Sequence, residues 1–347
     1  MNKHYSILHI SDLHKGENND FDHLFASLCN DADSYDQDIP KPEFIVVCGD
    51  LAEGANGEDA EEKIVKQYQE VESFLDKLVR HFLNGDKSRI IIVPGNHDLY
   101  RGATIRSMEA IPDDIRESAK ERYLKGDPQY RWSWKDFCFY LINKEEEYAS
   151  RFKFFVEFYN RFYEGIRTID DCDMLNKIID FPEYNIAFAT FNSCYRIDHL
   201  NQIGAINSKA IAESQSELSK VFKYGRFIVG VWHHNISGIP TQTNYLDPRV
   251  LHSLMDFHIQ LGLYGHQHHT EALYEYHDIF KQGRMTLISS GCLYGRGKTM
   301  PEGTHCQYNI LEIVQSEEKV NVILHVREDE TAVSYTHLRA HETEADL

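Results

Sequence analysis

The sequence has no CxxC pair, and its cysteines do not follow the spacing of a disulfide framework. The seven cysteines are an odd number and are scattered over 347 residues. Secreted disulfide scaffolds are dense in cysteine, whereas the proteins of the cytosol keep their thiols reduced. We therefore expect free thiols and a cytoplasmic location.

Long hydrophobic runs are also lacking. No run approaches the roughly 18 apolar residues that suggest a membrane span, and the first residues, MNKHYSILHIS, do not have the apolar stretch and cleavage site of a signal peptide. Hydrophobic residues still make up 42% of the chain, which is enough to bury a sizeable core. These features predict a globular protein with no membrane partner.

Positive charge is scarce, because 36 Lys and Arg stand against 55 Asp and Glu, for a net charge of -19. Such a balance disfavours a non-specific grip on nucleic acid, which relies on Lys and Arg along the phosphates. Nucleic acid then remains a partner only through a local basic edge, for which KYGR (223–226) and YGRGK (294–298) are candidates. An acidic protein that acts on an anion needs local positive charge, and bound metal is one source of it.

What the sequence does contain is a series of apolar runs rich in Val and Ile. They predict strands covered on both faces at 6–11, 43–49, 89–95, 185–193, 226–234 and 261–266. Helical patterns lie between several of them, at 21–29, 61–83, 207–222 and 247–257. Four further strand patterns, at 272–280, 284–291, 308–315 and 319–326, predict a second, largely antiparallel sheet. The whole predicts an α/β fold in which a two-sheet sandwich has helices outside.

Residues 101–182 interrupt this alternation and predict a helical insertion that could cap the site. Within it, aromatic residues recur at three- and four-residue steps, as on one face of a helix. These residues are Tyr148, Phe152, Phe155, Tyr159 and Phe162. Packing into a core explains such a stripe best. A base-stacking surface and a pair of helices that docks a partner are the alternatives.

The last residues, 332–347, do not resemble the rest of the chain. VSYTHLRAHET (333–343) resembles the translation of a transposase-type sequencing adapter. We therefore predict that this tail is not native, and that residues 1–331 form the domain.

Five of the predicted strands end in a turn that carries Asp, Asn or His. Any one such turn could be an ordinary solvated loop. Ligands of open α/β sheets, however, bind at the carboxyl ends of strands, and all five turns fall there. The donors that they supply are Asp12, His14, Asp50, Asn96, His233 or its neighbour His234, His266 and His268. This mixed set of oxygen and nitrogen donors suits Mn, Fe, Zn or Ni better than Ca or Mg.

The same motifs, in the same order, resemble the signature of the calcineurin-like metallophosphoesterases. They are DxH at 12–14, GD at 49–50, GNHD at 95–98, the strand-end His233 and GHxH at 265–268. The resemblance covers about residues 5–295, apart from the insertion. It implies a four-layer sandwich in which two mixed β-sheets are flanked by helices.

The resemblance further implies a dinuclear centre of two divalent metal ions. One ion would be held by Asp12, His14, Asp50 and His268, and the other by Asp50, Asn96, His233 and His266. Asp50 would bridge the two ions, and a hydroxide between them would be the nucleophile. His97 would face the phosphate and act on the leaving oxygen, and Asp98 would orient the ring of His97.

The expected function is that of a metal-dependent phosphoric ester hydrolase. The acidic balance favours a small-molecule or nucleotide phosphodiesterase or phosphatase, with a phosphoester as the partner. A nuclease of the DNA-repair type and a non-catalytic interaction scaffold on the same fold are the alternatives. The scaffold hypothesis predicts that ligands or His97 are missing from the sequence, and all of them are present.

Overall fold

Two six-stranded sheets form the centre of the protein, in a computed structural model that describes residues 3–16, 20–35, 39–238, 244–278, 283–294, 305–317, 319–328 and 341–346. In chain order the strands and helices are β1 (Lys3–Ile10), α1 (Phe21–Ala32), β2 (Pro42–Cys48), α2 (Ala60–Phe82), β3 (Ile90–Val93), α3 (Arg101–Arg106), β4 (Met108–Ala110), α4 (Arg116–Leu124), β5 (Tyr130–Ser133), β6 (Cys138–Ile142), α5 (Glu145–Ala149), α6 (Lys153–Tyr163), β7 (Ile178–Phe181), β8 (Ile186–Thr190), α7 (Ser208–Lys223), β9 (Phe227–Val231), α8 (Pro248–Asp256), β10 (Leu261–Tyr264), β11 (Ala272–Asp278), β12 (Gly283–Ser289), β13 (Gln307–Gln315), β14 (Val320–Glu328) and β15 (His341–Asp346).

Both sheets are mixed. The first has the order β15-β14-β13-β1-β2-β3, with β1, β2 and β3 parallel and the rest antiparallel to their neighbours. The second has the order β11-β12-β10-β9-β8-β7, with a parallel centre and an antiparallel strand at each edge. The prediction of an α/β sandwich built from two mixed sheets is therefore confirmed.

The apolar runs form strands because they are covered on both faces. In β9, Phe227 and Val229 point into the core that the two sheets share, whereas Ile228 points into a second core. Phe44 of β2 reaches across the sandwich to Phe188 of β8, with ring centroids 5.2 Å apart. A strand buried in this way needs no polar alternation, which is why its sequence reads as continuous apolar residues.

Helices cover the outer faces of the sandwich. Buried residues of α1, α2 and α6 join the same core that the two sheets share. Those of α7 and α8 join the second core, on the far side of the second sheet. The first helix begins at a favourable cap, since Asp20 accepts a hydrogen bond from the backbone N–H of His23 at 3.0 Å. None of the described helices combines the length and apolar character that a membrane crossing would require.

The strands that follow residue 270 do not form a sheet of their own, so that part of the prediction is wrong. β11 and β12 extend the second sheet, and β13 and β14 extend the first. Strand patterns show where strands lie but not which neighbours they pair with. Of the predicted tail, residues 341–346 form the edge strand β15 beside β14, and residues 332–340 and 347 lie outside the described residues.

The insertion is more than helical. Besides α3 to α6 it contains a small antiparallel sheet with the order β4-β6-β5, and its last predicted residues form β7, an edge strand of the second sheet. In the aromatic stripe, Phe152, Phe155, Tyr159 and Phe162 are buried in the common core and Tyr148 is half-buried. The stripe is therefore a packing surface, and these buried rings are not available to stack on bases.

One of the two basic segments proposed as a nucleic-acid edge, KYGR, lies away from the strand-end turns. KYGR precedes β9, at the end of that strand opposite to His233, and its Arg226 donates to Asp180 at 2.7 Å. Of YGRGK, residues 295–298 lie outside the described residues. KYGR therefore does not support a basic track to the site.

We predict that Phe158→Ala lowers the free energy of unfolding by about 3–5 kcal/mol, because it leaves a cavity at a large aromatic contact. Phe158 of α6 is fully buried and stacks on Tyr68 of α2, with ring centroids 5.2 Å apart. Urea unfolding measures the loss. The matched control is Phe137→Ala, at a side chain that is 65% exposed, which should change stability by less than about 0.5 kcal/mol. Equal effects of the two substitutions would contradict the packing of α6 on α2.

Candidate metal centre

The turns that follow β1, β2, β3, β9 and β10 meet at one edge of the sandwich. Backbone hydrogen bonds join them directly. The N–H of Asp12 donates to the carbonyl of Gly49 at 3.1 Å, and the N–H of Gly265 donates to the carbonyl of His233 at 3.0 Å. The position of each turn is thus set by its neighbours, and donors that are far apart in sequence face one another.

The first group of donors consists of Asp12, His14 and His268. Nε2 of His14 lies 3.2 Å from Nε2 of His268. Oδ1 of Asp12 lies 3.3 Å from Nε2 of His268 and 3.6 Å from Nε2 of His14. That oxygen is buried and accepts no hydrogen bond from the described residues. A buried carboxylate oxygen in this state is costly unless a cation or donor meets it.

The second group consists of Asn96, His233 and His266. Nε2 of His233 lies 3.0 Å from Oδ1 of Asn96 and 3.1 Å from Nδ1 of His266. Asp50 lies between this group and the first, since its Oδ2 is 3.5 Å from Nε2 of His233 and 3.9 Å from Nε2 of His14. The sequence predicted this central position for Asp50.

The donors fit a pair of divalent metal ions. Ring nitrogens and carboxylate oxygens converge without Lys or Arg among them, and three sets of residues bring their donor atoms within 4.8 Å of one another. Those sets are His14, His268 and Cys292; His14, Asp50 and His97; and Asp50, His233 and His266. Imidazole and carboxylate together suit Zn, Fe, Mn or Ni.

Each buried carboxylate also holds the backbone of another turn. Oδ2 of Asp12 accepts a hydrogen bond from the N–H of His266 at 3.0 Å, and Oδ1 of Asp50 accepts one from the N–H of His97 at 2.7 Å. One oxygen of each residue is therefore used to position a neighbouring turn. The second oxygen is left facing the donor cluster.

The turns have an unusual backbone. Five of the seven predicted ligands adopt a left-handed conformation, with φ of 55° at Asp12, 42° at His14, 53° at Asp50, 71° at His266 and 59° at His268. Asp, Asn and His visit this region more readily than most residues. Each still costs about 1–3 kcal/mol, which surrounding contacts must offset. Such strain is typical of functional sites.

Burial and mutual contacts shift the pKa values of these groups. Burial alone would raise the pKa of Asp12 and Asp50, but the neighbouring histidines together, chiefly His268 for Asp12 and His233 for Asp50, bring both pKa values below the usual range. Burial lowers the pKa of His266 to about 3. The carboxylates are therefore ionised and His266 is neutral at neutral pH, which is the form that binds a metal ion.

His97 stands at the rim of the cluster and is half-buried. Its Nδ1 lies 3.1 Å from the backbone carbonyl of Glu53, to which it donates. Burial lowers the pKa of His97, the negative charge of Asp50 opposes this shift, and the positive charge of Arg101 adds to it. The hydrogen bond to the carbonyl of Glu53 orients the imidazole ring of His97.

The prediction that Asp98 orients His97 is wrong. Its carboxylate accepts hydrogen bonds from the backbone N–H of Leu51, at 3.1 Å, and of Gly95, at 2.8 Å, and from the hydroxyl of Tyr68, at 2.9 Å. Burial, together with the charge of Asp50, raises the pKa of Asp98 to about 6. Asp98 thus fastens the turn after β2 to the turn after β3. The spacing of GNHD could not reveal which group each side chain would face.

Sequence reasoning missed two residues that support the ligands. The hydroxyl of Ser193 accepts from the backbone N–H of both His233 and His234 at 3.0 Å, and it also lies 3.0 Å from Nδ1 of His234. The side chain of Asn244 lies 2.9 Å from Nε2 of His266. Of the two adjacent histidines, His233 is therefore the one within the donor cluster. Neither Ser193 nor Asn244 belongs to a motif that could have identified it.

Cys292 is a third residue that the sequence did not indicate. Its Sγ lies near the ring nitrogens of His14 and His268 and donates to the backbone carbonyl of Asp12 at 3.2 Å. Burial raises the pKa of this thiol well above its ordinary value, so it is neutral. A neutral thiol is a weak ligand, and we assign it to packing behind the cluster.

Residues 5–270 match the sequence profile of a family described as calcineurin-like phosphoesterase. The chain belongs to the calcineurin-like phosphoesterase family. The match includes all five turns that carry the predicted ligands. The resemblance inferred from the motifs is therefore confirmed at the level of the family.

Three known proteins to which the chain is similar differ from it widely in sequence. The chain is similar to a dimetal phosphatase from Danio rerio (TM-score 0.48, 14% identity, covering 99% of this chain and 98% of that one). It is also similar to the calcineurin-like phosphoesterase YfkN from Bacillus subtilis (TM-score 0.39, 12% identity, 96% and 93% covered). A DNA polymerase II small subunit from Methanocaldococcus jannaschii is 29% identical over 133 residues, which is 34% of this chain and 21% of the relative. The match thus spans about a fifth of that relative's length.

We predict that the metal-free protein binds two equivalents of Mn²⁺, and that Asp50→Asn weakens this binding at least tenfold. The substitution keeps the size of the side chain but removes the charge that lies between the two donor groups. Titration calorimetry and elemental analysis after chelation measure stoichiometry and affinity. Asp114→Asn, at an exposed acid of the insertion, is the matched control. Unchanged stoichiometry and affinity in Asp50→Asn would show that Asp50 is not a ligand.

Proposed function

We propose that this protein hydrolyses a small phosphoester, either a phosphodiester or a phosphomonoester such as a nucleotide, with the help of two divalent metal ions. The observation that supports this most is the convergence of Asp12, Asp50 and five further donors beside His97. A scaffold that only binds other proteins would not need a buried, strained and complete ligand set.

The seven predicted ligands are assigned to the two ions as the motifs suggest. The first ion would be held by Asp12, His14, Asp50 and His268, and the second by Asp50, Asn96, His233 and His266. When bound, such ions supply Lewis acidity toward a phosphoryl oxygen and lower the pKa of water. Asp50 would contact both.

His97 is the proposed proton donor to the leaving oxygen. Because its Nδ1 is held by the carbonyl of Glu53, Nε2 is the nitrogen left to contact a substrate. Burial lowers the pKa of His97 in the free protein, but the negative charge of a bound phosphoester would raise it and favour the protonated ring. The proton would then be available at Nε2 when the ester bond breaks.

Asp98 contributes to the proposed site by positioning two turns, and we assign it no contact with the metal ions or the substrate. By accepting from the N–H groups of Leu51 and Gly95, it fixes the distance between the turn that carries Asp50 and the turn that carries Asn96. Ligands on two turns can share a metal pair only if those turns are fixed relative to each other.

The test is hydrolysis by the Mn-reconstituted protein of a chromogenic phosphodiester, a chromogenic phosphomonoester and linear DNA. We expect turnover of at least one small reporter. His97→Ala should lower kcat by about 10²- to 10⁴-fold without loss of bound metal, because His97 is not among the assigned ligands. Asp50→Asn should abolish turnover together with metal binding, and Asp114→Asn should behave as the wild type.

Other outcomes would overturn the proposal in distinct ways. Cleavage of DNA alone would favour the nuclease hypothesis. A wild-type protein that binds two metal ions but leaves all three substrates intact would favour the scaffold. Full activity in His97→Ala would remove His97 from the mechanism.

A further inference from the structure

A small pocket opens directly beside His97. It has a volume of about 200 Å³ and is formed by the turn 53–56 together with His97, Leu99 and Arg101. Pockets that hold a whole drug-sized ligand are typically larger, at about 300–1,000 Å³. This pocket therefore has room for one part of a substrate, next to the residue proposed to act on the leaving oxygen.

Arg101 is the positive charge in the wall of this pocket. Most described arginines, such as Arg89, Arg131 and Arg226, have a carboxylate partner. The guanidinium of Arg101 is exposed and forms no ion pair or hydrogen bond with the described residues. In a chain with a net charge of -19, an arginine left without a partner in a pocket is available to an external anion.

The backbone around Arg101 is held in place. Arg101 is the first residue of α3, and Thr104 in the same helix contacts Nδ1 of His199 through its hydroxyl at 3.0 Å. The N–H of Tyr100 donates to the carbonyl of Arg151 at 2.7 Å. The guanidinium is therefore presented from a fixed base, which lowers the entropic cost of binding.

We propose that this pocket binds the leaving group of the substrate, and that Arg101 selects leaving groups that carry an anionic group of their own. This inference rests on the proposed function. The guanidinium offers several N–H donors in a plane that matches a carboxylate or phosphate. Glu53 also lines the pocket, and its negative charge disfavours an anion there. Arg101 must therefore outweigh the charge of Glu53 to give the selectivity.

The test compares two chromogenic diesters that differ only in the leaving group. One is methyl para-nitrophenyl phosphate, and the other carries an added carboxylate on the nitrophenyl ring, meta to the ester oxygen. We expect the wild type to have a KM about 10- to 100-fold lower for the carboxylated diester, the range given by a charge-assisted hydrogen bond. Arg101→Ala should lose this preference, so that the ratio of its KM values for the two diesters falls to about one.

Two further variants make the result specific. Arg101→Lys retains the charge and should keep part of the preference. Arg80→Ala removes an exposed arginine in the last turn of α2, which is not among the residues that form the pocket, and should behave as the wild type. A wild type that does not distinguish the two diesters would overturn the inference. So would an Arg101→Ala variant that loses activity equally on both.

A second measurement separates this inference from the proposed function. Equilibrium dialysis of the Mn-loaded protein with para-nitrophenol or its carboxylated form requires no turnover. If the wild type hydrolyses neither diester nor the corresponding para-nitrophenyl phosphomonoesters, the proposed function fails. The pocket is then still supported if the wild type binds the carboxylated phenol about tenfold or more tightly and Arg101→Ala does not. If the wild type and Arg101→Ala bind the carboxylated phenol with equal affinity, the inference about the pocket is overturned.

Discussion

The buried carboxylate of Asp50, at the point where five turns meet, is the constraint on which the rest of the site depends. Burial disfavours its charge and so does the nearby carboxylate of Asp12, and the neighbouring histidines must offset both. One oxygen accepts the N–H of His97, and the other lies between His14 and His233. Even the adjacent turn is shaped by this group, because a side chain at Gly95 would clash with the carboxylate of Asp50.

The insertion stabilises the site from a distance. Phe158 of α6 stacks on Tyr68 of α2, and the hydroxyl of Tyr68 donates to Asp98, which ties two ligand-bearing turns together. A buried ion pair between Arg131 and Asp198, at 2.6 Å, joins the insertion to the segment that follows β8. The insertion thus contributes to the packing beneath the candidate metal centre. It also lies next to that centre, since its first residue, Arg101, lines the pocket beside His97.

The positions of the strands and of the donor residues could be predicted from the sequence, because local patterns of residues indicate them. Apolar runs located every strand of the sandwich centre, and the strand-end motifs located donors that the fold brings together. Non-local pairing could not be read, which is why β11 and β12 were separated from the sheet that they extend. The partners of Asp98 and the support that Ser193 gives to His233 were hidden for the same reason: each depends on residues of other turns, and no spacing in the chain encodes it.

The convergence of both sheets on one centre has a consequence for biosynthesis. Asp12, Asp50 and Asn96 leave the ribosome within the first hundred residues, whereas His233 and His266 follow more than a hundred residues later. At about 5–20 residues per second, this leaves an interval on the order of ten seconds. During that time the early carboxylates lack the imidazoles of His233, His266 and His268, and only His14 and His97 are present beside them. The nascent amino-terminal half must therefore wait, with its donors exposed to solvent, until the second sheet is made.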